Sequence, residues 1–70
     1  MVTRLRMERM QSGHTVLETS KALRISDSLL SGIERGRMAC PEWLRHKLSL
    51  FVGKKPEELF DRHGFPLFIE

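Results

Sequence analysis

The amino-acid sequence predicts an all-α domain: five short helices followed by a short apolar C-terminal tail. Three observations predict it. Apolar residues recur at helical spacing and do not alternate with period two before the tail. Glycines suited to ending helices stand at Gly13, Gly36 and Gly53. Helix-start signals fall between those stops, at Thr15 with Glu18, at Ser26, at Pro41 and at Pro56.

Residues 3–12 are rich in helix formers, with Leu5 and Arg9 one turn apart on one face, and Gly13 tolerates the left-handed conformation that closes the helix. Thr15 and Glu18 form a capping box: the hydroxyl accepts the third helical amide and the carboxylate reaches back to the cap amide. The second helix therefore runs from Thr15 to about Leu23, and Arg24, Ile25 and Ser26 make a turn. Ser26 caps a third helix, Asp27 to Arg35, in which Asp27 lies favourably against the helix dipole. Pro41 suits the first position of a fourth helix, because its missing amide would be unpaired there, and Leu44, Leu48, Phe51 and Val52 keep helical spacing up to Gly53. Pro56 opens a last short helix with Glu57 and Glu58 in its first turn and Leu59 and Phe60 as its apolar residues. The chain has no internal repeat, low-complexity stretch or linker, so residues 1–63 read as one helical domain and residues 64–70 as the tail.

Seventy residues make one domain, and a chain of that size buries only about 60% of its unfolded surface, which leaves a small core. No apolar run approaches the ~20 residues of a membrane span. The start MVTRLRMERM lacks the apolar stretch of a secretory signal, and the single Cys40 allows no internal disulfide. A cytoplasmic location is expected. The net charge of +3 is concentrated in the first forty residues, where seven cations face four carboxylates; residues 41–70 are balanced. A basic half on a chain of pI near 9.6 points to a polyanion partner. His14, His46, His63 and Cys40 have no metal-ligand spacing. No Gly-rich phosphate loop or nucleophile elbow is present, and so small a domain has little room for a substrate pocket. The sequence thus predicts a non-enzyme with no metal, cofactor or small-molecule substrate.

In the stretch SLLSGIERG, Leu30 and Ile33 share a helix face and Glu34 lies directly beside them, so its carboxylate is drawn towards the core and needs a cation. Arg9, on the Leu5 face, is drawn inward too, and the bidentate fork of each group would match the other. The run TVLETSKALRISDSLLSGIERG, with LRMER before it and the proline-started helix and EELF after it, resembles the helix-turn-helix domains of the phage lambda repressor and Cro type over roughly residues 4–61. That resemblance implies a five-helix lambda-repressor-like domain, with residues 16–35 as the two-helix reading unit and the helix after Ser26 as the recognition helix. It also implies a structural ion pair of Arg9 with Glu34 that fixes the angle of that helix. The sequence departs from the family pattern at Val16, where many members have glutamine, at Thr19, in place of a core leucine, and at Arg24, in place of a turn glycine.

The resemblance implies double-stranded DNA as the partner and a sequence-specific transcriptional regulator, a repressor, acting as a homodimer. Asp27, Ser28, Leu29, Ser31 and Gly32 are the expected base-facing residues, and Thr15, Val16, Lys21, Arg35 and Arg37 the expected phosphate contacts. The alternative is a helix-turn-helix scaffold used as a protein-interaction module or antitoxin-like partner binder, motivated by Val16, Leu17, Trp43 and the tail. In GFPLFIE, Phe65, Leu67, Phe68 and Ile69 would be an association hazard if left in water. Pro66 excludes a central strand but allows an edge strand or extended arm. The tail either folds back over the fourth helix near Trp43 or Leu50, or, as the preferred reading, exchanges contacts with its counterpart across a two-fold axis.

Overall fold

A computed structural model of the chain describes residues 2–69. The order is β1 (Val2–Thr3), α1 (Arg4–Gln11), α2 (Val16–Leu23), α3 (Asp27–Glu34), α4 (Glu42–Val52), α5 (Pro56–Leu59) and β2 (Phe68–Ile69). Among the described residues no helix is long and apolar enough to cross a membrane.

The helix boundaries follow local chemistry. Thr3 caps α1, its hydroxyl accepting from the Arg6 amide at 3.3 Å. The capping box of α2 is formed in both directions, Glu18 N–H to Thr15 Oγ1 at 3.0 Å and Thr15 N–H to Glu18 Oε1 at 2.9 Å. Arg24 closes α2 in the left-handed region, φ 58° and ψ 46°, at a cost of roughly 1–2 kcal/mol for a residue bearing a Cβ. Ser26 caps α3 through the Leu29 amide at 3.1 Å. Five ends shift by one residue: Thr3 and Ser12 are the caps that flank α1, Arg35 is the cap after α3, Pro41, with an extended ψ of 149°, is the cap before α4, and Phe60 is the extended cap after α5. Leu5 from α1, Leu30 and Ile33 from α3, Leu44 and Leu48 from α4 and Leu59 from α5 are at most 1% exposed and form the centre of the core.

The fold is not all-α. Val2 pairs with Ile69 and Thr3 with Phe68 in a two-stranded antiparallel sheet that joins the two ends of the chain. Each strand has only two residues, too few for any periodicity to register. The tail also enters the body of the domain. The Leu67 amide donates to Leu59 O at 2.9 Å while its carbonyl accepts from the Arg4 amide at 2.7 Å, so Leu67 links the end of α5 to the start of α1. Phe60 and Pro66 form an antiparallel bridge, flanked by the Leu67 bond and by Asp61 N–H to Phe65 O at 2.9 Å. Pro66 thus sits at the non-hydrogen-bonded pair, where no ladder bond requires its missing amide. That placement is compatible with the edge pairing that Pro66 allows, and the tail turns towards β1 rather than over α4 near Trp43 or Leu50. Ile69 is half-buried there; Phe65, Leu67 and Phe68 remain 41%, 37% and 52% exposed.

The return of the tail depends on Gly64. Its φ is +93°, its carbonyl accepts from the Cys40 amide at 2.8 Å, and a Cβ built on it would lie 2.7 Å from Cys40 O and against the Arg45 guanidinium. Arg45 Nε donates to Cys40 O at 2.7 Å and closes the same corner. Gly64→Ala should therefore destabilise the chain by clearly more than Gly13→Ala, where φ is +80° but nothing lies within 4 Å. The second change should cost about 1–2 kcal/mol, the conformational term alone; equal midpoints in urea for the two variants would contradict this corner.

Cys40 is fully buried. Burial pushes its thiol from the ordinary 9.0 up to about 11, with the Arg45 guanidinium pulling the other way. The folded state therefore keeps a proton that the unfolded chain releases earlier, and stability falls as pH rises between about 9 and about 11. Thiol titration should show no reaction with the native chain at neutral pH and full reaction in denaturant, and Cys40→Ala should flatten the alkaline loss of stability.

Candidate functional site

The site is built on α2 and α3. The Ile25 amide donates to Ser20 O at 3.0 Å, and Arg24 reverses the chain so that α3 returns across α2. The buried Ser20 hydroxyl bonds to Leu17 O at 3.1 Å and to Asp27 Oδ1, which ties the first residue of α3 to the middle of α2.

The far end of α3 is held by an ion pair. Arg9 Nε donates to Glu34 Oε2 at 2.6 Å and Nη2 to Glu34 Oε1 at 3.0 Å, with the two side chains 8% and 4% exposed. The third nitrogen, Nη1, donates to His14 O at 2.7 Å, so one guanidinium joins α1, the loop before α2 and the end of α3. Thr3 adds a second tie, its buried hydroxyl donating to Glu34 O at 2.6 Å. Residues 26 to 35 are thereby fixed at both ends.

The outward face of α3 carries exposed Asp27 and Ser28, half-buried Leu29 and Ser31, and exposed Arg35, with Arg37 exposed just beyond. Thr15 and Lys21 of the α2 segment are exposed and Val16 is half-buried. Two expected base-facing residues are placed otherwise. Gly32 is buried, because Met38 folds back over it and its Cε would lie 2.9 Å from a Cβ there. Asp27 is exposed, and one of its carboxylate oxygens accepts from the Ser20 hydroxyl, which makes it a staple between helices first. The cleft lined by Arg6, Arg9, Val16, Ser31, Glu34 and Arg35 measures ≈ 80 Å³, well under the ~300 Å³ of small ligand pockets. Among the described residues no three His, Cys, Asp or Glu side chains converge as a metal site.

The charges of this half are sorted by sign. Glu34 is paired with Arg9, Glu8 with Arg4 at 3.4 Å, and Asp27 bonds to Ser20. The Glu18 carboxyl is held below its ordinary 4.5 by the Thr15 backbone amide and then by the Thr15 side chain, so it remains ionised as a cap. All four carboxylates are thus engaged within the chain. Arg6, Lys21, Arg24, Arg35 and Arg37 are exposed and take part in no ion pair among the described residues. Sequence reasoning missed Thr3, Ser20 and Met38: the first two act through hydroxyl bonds to partners distant in sequence or helix, and Met38 acts by shape. The short side chain at Gly32 was the one available signal for Met38, since a close approach needs a residue without Cβ.

Comparison with protein-family models, with curated proteins and with solved structures finds no match.

The ion pair is testable by a double-mutant cycle. Arg9→Met alone should destabilise the fold by about 3–5 kcal/mol by leaving a buried carboxylate uncompensated, and the added change Glu34→Leu should recover much of that loss. A coupling energy near zero, measured by denaturant unfolding, would show that the two groups act independently.

Proposed function

We propose that the chain is a DNA-binding transcriptional regulator, a repressor of the helix-turn-helix class that its sequence resembles, which sets the start of α3 in the major groove of double-stranded DNA. The observation that carries this reading is the sorting of charge: every carboxylate of the basic half is engaged internally, while five cations stand exposed around an anchored α3. Such a face attracts phosphates and repels basic surfaces. A rigid α3 suits base reading, because edge contacts require the helix to hold one register against the duplex. Ser28, Leu29 and Ser31 are the base-facing candidates: a hydroxyl donates or accepts at a base edge, and Leu29 offers apolar contact to a thymine methyl. Arg35, Arg37 and Lys21, joined by Arg6, are the phosphate contacts, with Thr15 and Val16 at the mouth of α2. Two-fold pairing through the exposed Phe65, Leu67 and Phe68 would set two copies of α3 about 34 Å apart on a palindromic site. A reducing cytoplasm belongs to the same proposal.

The alternative, a protein-interaction module, draws on Leu17, 51% exposed on the first turn of α2. Salt separates the two. DNA affinity should fall with salt at a log–log slope of about 0.9 per phosphate contact, whereas an apolar protein interface would be nearly indifferent. In fluorescence anisotropy with mixed duplexes, Arg35→Ala and Arg37→Ala should each weaken binding to all sequences and lower that slope by about 1, while Ser28→Ala should change preference among sequences selected from a random pool. Salt-independent binding, or none at low salt, would overturn the DNA reading.

A further inference from the structure

The outer face of α4 takes no part in the site above, and two of its five exposed residues, Trp43 and Leu50, are large and apolar beside Glu42, His46 and Lys47. Trp43, Lys47 and Leu50 follow at i, i+4 and i+7, so they form one stripe. Leu50 is 84% exposed and Trp43 55%. The stripe continues into an open groove against the end of α2, lined by Ala22, Leu23, Arg24, Lys47, Leu50 and Phe51, with a volume of ≈ 430 Å³. Four of those residues are apolar, two are cations and none is a carboxylate. Lys47 lies over the Trp43 ring, its Nζ 5.5 Å from the ring centroid, which holds one cation over the stripe.

We propose that this groove is a docking site for an acidic amphipathic helix of a partner protein, with aliphatic anchors on the floor between α2 and α4 and carboxylates paired with Arg24 and Lys47. Helix-in-groove recognition sets anchors at i, i+3 or i+4 and i+7 of the docking helix into an apolar trough, and Ala22, Leu23, Leu50 and Phe51 supply that trough here. The charge selects the occupant. A second copy of this chain is a poor fit, because two α4 stripes packed antiparallel across a two-fold axis would bring Lys47, their middle position, against its own counterpart. Nucleic acid is a poor fit for a floor that is two-thirds apolar. An acidic helix satisfies both features at once, and the cations on the rim would steer its approach.

Trp43 is the sole tryptophan and reports directly on this face. The probe is a short designed helical peptide with leucines at i, i+3 and i+7 flanked by glutamates, and its control is the same peptide with lysine at every glutamate position. The full chain should bind the glutamate peptide with a blue shift of Trp43 emission and bind the control at least about tenfold more weakly. Lys47→Glu should narrow or reverse that preference, and Leu50→Asp should abolish the shift while circular dichroism stays unchanged, since Leu50 packs little of its surface. Duplex binding by Leu50→Asp should be unaltered, so failure on this face and failure of the DNA reading are separately visible. Equal binding of the two peptides, or binding of neither, overturns the proposal. So does a dimer in sedimentation that Leu50→Asp converts to monomer, since a second copy would then own the face.

Discussion

The Arg9–Glu34 pair is the point on which the rest of the arrangement turns. A single guanidinium donates twice to one carboxylate and once to the His14 carbonyl, and its three partners belong to different parts of the chain. Removing two charges from water is costly, and the loss is offset only where geometry is bidentate and the remaining donors are satisfied. Those conditions hold here, with no Arg9 nitrogen left over. The pair therefore admits only a narrow range of angles between α1 and α3. Ser20 with Asp27 does the same at the other end of α3. A helix of eight residues is too short to hold itself straight in water, and α3 owes its fixed pose to these polar ties together with the burial of Leu30 and Ile33.

The second constraint is the closing of the chain on itself. A core as small as this one leaves each helix end accessible to solvent, and the tail covers three of them: it bonds to the start of α1 through Leu67, to the end of α5 through the same residue, and to the loop before α4 through Gly64. Thr3 stands where the two devices meet. Its backbone pairs with Phe68, while its hydroxyl caps α1 and bonds to the last carbonyl of α3. Phe68 in turn lies over Gly36, just past α3, so the tail supports the same helix that the ion pair orients. Among the described residues, the buried side-chain hydroxyl of Thr19 finds no hydrogen-bond partner. An unpaired buried hydroxyl is a cost to the fold.

Charge links these structural choices to function. The tie at the far end of α3 buries the Glu34 carboxylate against Arg9, so that charge does not oppose the exposed arginines and lysine, while Asp27, bonded to a neutral hydroxyl, keeps its charge. The ion pair that orients the helix thus also bears on the sign of the face around it. The α4 side follows another rule: Trp43 and Leu50 stand exposed beside Lys47 and open onto a mostly apolar groove, so the two faces suit ligands of different chemistry.

Local chemistry is what the sequence determined by itself. Capping side chains, left-handed glycines and helix-start prolines act within four residues, and each reads directly from Thr15 and Glu18, Ser26, Gly53 and Pro56, so the five helices were legible to within a residue at their ends. The inward pull on Arg9 and Glu34 was legible as well, because both sit beside apolar residues of short helices, and the resemblance singled out these two positions as a pair. Contacts across long separations were decided by the tertiary structure alone. The β1–β2 sheet consists of two dipeptides that carry no period and exist only because the folded helices bring residues 2–3 and 68–69 together. Gly32 looked outward by helical spacing, yet Met38 covers it, since spacing fixes direction from the helix axis but not what a later loop lays on top. Asp27 looked free for a base, yet its position beside Ser20 depends on how α2 and α3 cross. Direction along a helix is local physics; who occupies the space beyond it is settled by packing of the whole chain.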